Sequence, residues 1–256
     1  MGKKKFDRVR TFGFENALRA MRMAVYNGEA APEDGDSKFE HGIMRSLGDD
    51  DSWVAGSLIA ADDRKGCGCS LSKFLRMIHV QAEVTAPLWW WREVEFHGGV
   101  IMEYADIEDD LMGTRITLDS FDMENFKNFK VQLEASNPFA MFGFEVSESG
   151  AKVKRENFRN SNFWADFVTY LEMIRSSCAS KSEHYEKRKS SLGELVRLLP
   201  ESWLQTRMID CDYATLRDIY MRNKDDNRFM WEVFCAWVND LKAHHFITKE
   251  YDCDED

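Results

Sequence analysis

An aromatic and basic segment, Trp89-Trp90-Trp91-Arg92, follows Pro87 and carries the clearest chemical signal in the chain. A guanidinium group is a planar fork that clamps a phosphate or stacks on a ring, and indole rings form stacking walls for planar ligands. The same residue types also serve as packing anchors in cores and subunit interfaces. The segment therefore predicts either a ligand wall or a packed contact, and Arg92 either a phosphate clamp or an ion pair with a nearby glutamate.

A histidine, His97, follows this segment and stands beside Gly98-Gly99. Imidazole titrates near neutral pH and can act as an acid or a base, so His97 is the candidate catalytic residue. The alternative is a solvated loop histidine.

The sequence contains no recognisable metal-ligand pattern. Cys67 and Cys69 are separated by one residue, whereas zinc knuckles need two, and His244-His245 diverge on a helix. The acidic run from Asp106 to Asp110 fits no calcium loop and is typical of a solvated surface. We predict no metal site.

Composition narrows the class of protein. The chain has 256 residues, 44% of them hydrophobic, and a net charge of −11. Clustered Lys and Arg are needed to neutralise a nucleic-acid backbone, so general nucleic-acid binding is not expected. No apolar run approaches the ~20 residues of a membrane span, and six scattered cysteines suit a reducing compartment. We expect a soluble cytoplasmic protein with one domain over residues 1–256 and an acidic, frayed tail at about 250–256.

Hydrophobic periodicity predicts an α+β fold in which helices dominate and the sheet is small. A half-buried strand alternates from Ile78 to Ala86, and Pro87 suits the first turn of a short helix. Residues 96–113 are predicted to form a mobile acidic loop. Further strands are predicted at 115–118 and 139–146. Helices are predicted at 15–25, at 53–61 with a cap at Asp51 or Ser52, from Phe158 to Ile174, at 213–220 and at 229–241. Residues 192–199 are predicted to be the end of another helix.

Several segments together resemble the flavin-dependent thymidylate synthases, and most closely a divergent branch common in phages and prophages. The strand, proline and aromatic-arginine segment from Val84 to Glu93 resembles a marker of that family. Other matching segments are 13–22, 73–76, 198–207, 212–220 and 231–237. The resemblance implies the fold of that family, with a small, mostly antiparallel sheet and long helices, a homo-oligomer, and the cytoplasm of a bacterial host cell.

The resemblance also implies a site. In the family, an arginine-glutamine pair and an arginine-histidine-arginine triplet hold FAD and a uridine nucleotide. Arg92 matches the first arginine and His97 the triplet histidine, whereas Glu93, Phe96 and Gly98 depart from the pattern. Trp89, Trp90, Trp91 and Arg92 are thus the predicted cofactor-binding residues. Arg197, Arg207 and Arg217 lie in the half of the chain where the family binds its nucleotide, and they are the predicted nucleotide-binding residues.

Two functional hypotheses follow. The first is a thymidylate synthase-like protein that binds a nucleotide or flavin-like ligand and, if it is an enzyme, reductively methylates C5 of a uridine nucleotide. The second is a non-catalytic protein that uses the same scaffold and its acidic surface to bind a protein partner, for example a host factor or defence component. The missing arginines and the charge of −11 favour the second hypothesis.

Overall fold

The computed structural model describes residues 5–25, 37–40, 43–65, 72–122, 163–180 and 184–250. The helices in these ranges are α1 (Phe14–Val25), α2 (Asp49–Lys65), α3 (Leu88–His97), α4 (Ile107–Gly113), α5 (Phe163–Ser180), α6 (Tyr185–Val196), α7 (Tyr213–Asn223), α8 (Phe229–Asn239) and α9 (His245–Thr248). The strands are β1 (Phe6–Phe12), β2 (Lys38–Glu40), β3 (Ile43–Ser46), β4 (His79–Pro87), β5 (Ile101–Glu103) and β6 (Leu204–Asp212). Short 3-10 turns occupy Lys73–Met77 and Leu118–Ser120.

A four-stranded sheet in the order β1-β4-β6-β5 organises the structure, beside a small β2-β3 hairpin. β1 runs antiparallel to β4, and β5 antiparallel to β6. Between β4 and β6, Tyr213 donates its N–H to the carbonyl of Ile78, while the hydroxyls of Thr85 and Thr206 meet at 2.8 Å. These two contacts join opposite ends of the strands, so β4 and β6 are antiparallel as well.

Strand β4 alternates as predicted. Val80, Ala82, Val84 and Ala86 are buried, while the intervening side chains are half-exposed. One face of the sheet is therefore packed and the other meets solvent. Pro87 ends the strand and α3 begins at the next residue, in agreement with the sequence.

Strand β6 is an element that the sequence pattern does not reveal. Its buried positions are Gln205, Arg207, Ile209 and Cys211. Because two of these four side chains are polar, the alternation of burial does not appear as an alternation of hydrophobicity. Tertiary partners for the polar side chains decide that this stretch forms a central strand.

The prediction of a loop over residues 96–113 is wrong in part, because β5 and α4 lie within this segment. Residues 115–118 do not form the predicted strand; a 3-10 turn begins at Leu118 instead. Helix α2 begins at Asp49, two residues before the earlier of the two predicted caps. The predicted strand at 139–146, the start of the long helix at Phe158 and nearly all of the acidic tail lie outside the described residues.

The chain divides into two compact units: residues 1–86, 90–104 and 206–256 in the first, and residues 87–89 and 105–205 in the second. The first contains most of the sheet, α1, α7 and α8. The second has its own apolar core, built from α4, α5 and α6 around Leu111, Leu171, Leu192 and Trp203. The expectation of a single domain stays a prediction.

Candidate functional site

Helix α3 carries most of the predicted site, and its start is fixed by backbone hydrogen bonds. The N–H groups of Leu88 and Trp89 would lack partners within the helix, and they donate to the carbonyls of Trp203 and Glu201 at 3.0 and 3.2 Å. Proline at the preceding position has no N–H to satisfy. These bonds and the proline define where the helix begins.

Trp90 and Trp91 point into an aromatic core. Their exposed fractions are 1% and 0%. Trp90 lies 5.1 Å from Trp91, 5.4 Å from Trp231 and 6.2 Å from Phe6, measured between ring centroids. The Trp91 indole N–H donates to the carbonyl of Ala86 at 3.1 Å. Both rings therefore have the packing role that the sequence left open, and ligand binding by them stays a prediction that requires the side chains to move.

Trp89 and Arg92 lie differently on the helix. Trp89 is half-buried and Arg92 is exposed. Of the four predicted cofactor-binding side chains, these two are the ones that a ligand in solution can reach without rearrangement of the aromatic core.

Arg207 reaches α3 from β6 and is buried there. Its guanidinium pairs with the carboxylate of Glu95 and lies between two rings, 4.6 Å from the centroid of Trp91 and 3.9 Å from that of Tyr104. An arginine held by a carboxylate and two aromatic faces already has its charge balanced inside the chain.

Arg217 is also buried, on α7. It donates to the carbonyls of Ile247 and Lys249 at 3.0 and 2.9 Å and to the carboxylate of Asp63 at 2.6 Å. In the structure, Arg207 and Arg217 therefore bind other groups of the chain, and both side chains contribute to packing. Arg197, the third predicted nucleotide-binding residue, lies exposed directly after α6. Nucleotide binding by these three residues stays a prediction.

His97 occupies the last position of α3. Its Nε2 lies 3.4 Å from the amide nitrogen of Asn223, its ring meets the ring of Trp231 edge-on at 6.4 Å, and its Nδ1 is buried without a hydrogen-bond partner in the described residues. Burial lowers the pKa of His97, as does the charge of Arg222, although Glu93 and Asp218 act in the opposite direction. The imidazole is therefore neutral near pH 7, a form that can accept a proton.

Glu93 lies one helical turn before His97. Both of its oxygens are bound by Arg228, one at 2.8 Å, and the indole N–H of Trp231 donates to it at 3.1 Å. The Glu93 carboxylate is thus an acceptor that connects α3 to α8.

Asn223, Arg228 and Tyr104 are site neighbours that the sequence does not single out. Asn223 and Arg228 flank the acidic stretch between α7 and α8, and Tyr104 follows β5 inside the segment predicted to be a loop. Each is far from α3 in sequence or follows an unpredicted strand. No local signal indicates that they meet it.

The arrangement belongs to an α+β protein with a small antiparallel sheet and several helices. No protein-family model and no curated protein matches the chain. Solved structures do match it. Flavin-dependent thymidylate synthase ThyX from Helicobacter pylori, complexed with FAD and dUMP, has a TM-score of 0.53 at 16% identity, covering 95% of this chain and 100% of that chain. A second structure of ThyX from Helicobacter pylori with FAD and dUMP has a TM-score of 0.50 at 13% identity, covering 93% and 94%.

The chain therefore has the fold of flavin-dependent thymidylate synthase over nearly its whole length, which confirms the predicted fold class. The likeness at this level of identity concerns the fold. Within the described residues, no helix is both long enough and apolar enough to cross a membrane, and no three His, Cys, Asp or Glu side chains gather in a way that could hold a metal ion.

Proposed function

We propose that this protein is a divergent relative of flavin-dependent thymidylate synthase, of the branch common in phages, that binds a nucleotide or flavin-like ligand. The observation that supports the proposal is the fold likeness across 95% of the chain to a structure that holds FAD and dUMP. Two further features agree with it. Arg92 on α3 is exposed, and a neutral imidazole lies at the end of the same helix.

Several of the predicted ligand-binding residues are engaged inside the chain, whereas Trp89 is half-buried and Arg92 is exposed. Two of the three tryptophans are packed against other rings, and Arg207 and Arg217 are engaged with Glu95, Asp63 and backbone carbonyls. A pyrophosphate needs cations whose charge is available, and a flavin ring needs an accessible flat surface. The geometry of these side chains supports no reaction step through FAD. If the protein is an enzyme, the family reaction is reductive methylation at C5 of a uridine nucleotide.

The first experiment is a visible absorption spectrum of the purified protein, before and after incubation with FAD. The second is the melting temperature with and without dUMP, because a ligand that binds the folded state raises it. We expect a rise with dUMP or FAD that is reduced in Arg92→Met and kept in Arg19→Met, an exposed arginine on α1. A colourless protein that neither FAD nor dUMP stabilises contradicts the proposal.

A second candidate function is a non-catalytic protein that binds another protein, for example a host factor, on the same scaffold. Internal neutralisation of Arg207 and Arg217 favours it, since carboxylates of the chain already balance these cations. Large exposed apolar side chains also favour it: Phe96 is 88% and Trp53 74% exposed.

This candidate is tested by cross-linking in a bacterial lysate followed by mass spectrometry. A genuine partner is lost with Phe96→Ser or Trp53→Ser and kept with Met23→Ser, which changes an exposed side chain on α1. An unchanged set of cross-links in all three variants argues against it.

A further inference from the structure

The solvent-facing side of the sheet carries a histidine and a carboxylate in direct contact, away from α3. Nδ1 of His79 on β4 lies 2.9 Å from Oδ1 of Asp210 on β6. The other oxygen of Asp210 accepts a hydrogen bond from the side-chain amide of Gln81, also at 2.9 Å. Both oxygens of the carboxylate are therefore held, and its orientation is fixed by two side chains of one strand.

This geometry sets the tautomer of the imidazole. A carboxylate accepts protons and does not donate them when ionised, so Nδ1 of His79 carries the proton. The amide of Gln81 and the imidazole of His79 hold the pKa of Asp210 below its usual value against the effect of burial, which keeps the carboxylate ionised. In the neutral form of the ring, Nε2 then bears the lone pair, and no residue in the described part of the chain is bonded to it.

The surroundings leave this nitrogen accessible. The side chain of His79 is 37% exposed. The ring of Phe12 stacks on it at 5.6 Å and 13°, which restrains the plane of the imidazole. Across the neighbouring strand pair, Ile101 lies opposite Asp210 and is 71% exposed.

Charges of both signs lie on this face, since Arg10 on β1 stands opposite Gln81 and Arg8 is paired with Glu83. Asp210 lies against the imidazole and Asp212 follows it on the same strand, where it accepts the N–H of Thr215. Glu83, the other carboxylate of β4, lies 3.5 Å from Arg8. Exposed apolar side chains, Phe12, Ile101 and Met208, stand beside these acids. A neutral molecule with an aromatic group can pack against these apolar side chains.

The geometry points to His79 as a nucleophilic imidazole whose Nε2 takes the acyl group of neutral aryl esters, with Asp210 and Gln81 as its positioning residues. Nε2 attacks the ester carbonyl, the bond from the acyl carbon to the aryl oxygen breaks, and the aryloxide leaves. The acylimidazolium keeps its Nδ1 proton against Asp210. Water then adds to the acyl carbon and gives up one proton to the solvent, the bond from carbon to Nε2 breaks, and a carboxylic acid is released with the neutral imidazole restored. Imidazole with an oriented carboxylate is an established nucleophile and base.

The test uses p-nitrophenyl acetate with the full-length protein. We expect p-nitrophenolate release above the background of an equal concentration of free imidazole, and an acetyl group on His79 in peptides from protein quenched early in the reaction. His79→Gln abolishes the excess rate. Asp210→Asn lowers it about tenfold, less than the ~10⁴ that loss of the carboxylate costs in a buried protease triad, because this site is half-exposed.

Glu83→Gln is the matched control, since it removes a carboxylate of the same sheet face that is not bonded to His79, and it leaves the rate unchanged. Nitrogen-15 NMR of the imidazole gives a second readout, the tautomer that the contact with Asp210 selects. We expect the Nδ1–H tautomer in the wild type and a mixture of tautomers in Asp210→Asn. Acetylation confined to other histidines, or equal rates in the wild type and Asp210→Asn, overturns the proposal.

Discussion

Two buried arginines of this protein, Arg207 and Arg217, are bonded to other groups of the chain. Arg217 and Arg207 are each buried, and each is bonded to a carboxylate from a distant part of the chain. Arg217 also caps backbone carbonyls at the end of α9, where helix carbonyls lack partners within the helix. These side chains are chemically able to bind phosphate, and in this structure their contacts are with groups of the chain itself.

Replacing Arg217 with Met tests this structural role. The variant keeps the volume of the side chain but leaves buried carbonyls without a donor, so we expect the free energy of unfolding in urea to fall by about 3 kcal/mol. Arg19→Met, on an exposed position, changes it by less than about 0.5 kcal/mol. A stable Arg217→Met protein that has lost only its response to dUMP shows instead that Arg217 binds nucleotide.

Glu172 on α5 gives a pH-dependent prediction. Hydrogen bonds from Arg175, from the backbone N–H of Ile116 and from Ser176 lower its pKa from 4.5 to about 2, against the effect of burial. The folded state therefore binds the proton more weakly than the unfolded state. Its contribution to stability is present above pH 4.5 and is lost as the pH falls toward 2.

We expect Glu172→Gln to be less stable than the wild type at pH 7, with a difference that shrinks steadily between pH 4.5 and 2. Urea titrations at several pH values measure it. Glu194→Gln, which changes an exposed carboxylate on α6, serves as the control. A difference that stays constant across this range refutes the prediction.

At the scale of elements, the connection between α3 and β5 is short and contains two glycines with unusual backbone conformations. Gly98 and Gly99 both have positive φ, 70° and 73°, a region that favours glycine. The two glycines differ in the free space around their Cα atoms. A Cβ on Gly98 meets nothing within 4 Å, whereas a Cβ on Gly99 comes within 2.7 Å of Oγ1 of Thr215 on α7. Gly99 thus lets α7 approach the end of α3, where His97 lies.

Alanine at these two positions separates backbone strain from crowding. Gly98→Ala carries only the cost of the left-handed conformation, about 1 kcal/mol. Gly99→Ala carries that cost and a clash with a β-branched side chain, so we expect it to lose about 1–3 kcal/mol more. Chemical denaturation measures both values. Thr215→Ala removes both Oγ1 and Cγ2, the two nearest atoms, so combined with Gly99→Ala it recovers part of the loss. Equal losses in the two single alanine variants at Gly98 and Gly99 contradict the crowding.

At the scale of the whole molecule, a chain with a net charge of −11 has the fold of ThyX at low sequence identity. The likeness to ThyX spans 95% of the chain at 16% identity. Burial patterns of strands and helices tolerate such divergence because hydrophobic residues of similar size replace one another, whereas a ligand site depends on particular groups.

Self-association is the prediction at this scale, and it rests on the family resemblance. We expect sedimentation equilibrium to give a mass that is a multiple of the 29.8 kDa of one chain. The assembly persists at high salt if apolar surface holds it together, since salt screens ion pairs and not hydrophobic contacts. A mass of one chain at micromolar concentration contradicts the expectation.

The amino-acid sequence by itself determined the local elements with strong periodicity. Alternation predicted β4, the proline predicted the start of α3, and the 3.6-residue period predicted α1, α7 and α8, because these signals lie within one segment. The resemblance of Val84–Glu93 and the carboxyl-terminal segments indicated the fold that the structural likeness then supported.

Only the tertiary structure decided which contacts the candidate side chains make. Arg207 has the chemistry of a phosphate ligand, but Glu95, Trp91 and Tyr104 surround its guanidinium in the folded chain. The pairing of His79 with Asp210 joins residues 131 positions apart and has no local signature. The charge balance and accessibility of a side chain depend on neighbours that folding brings together. Local sequence patterns therefore cannot specify them.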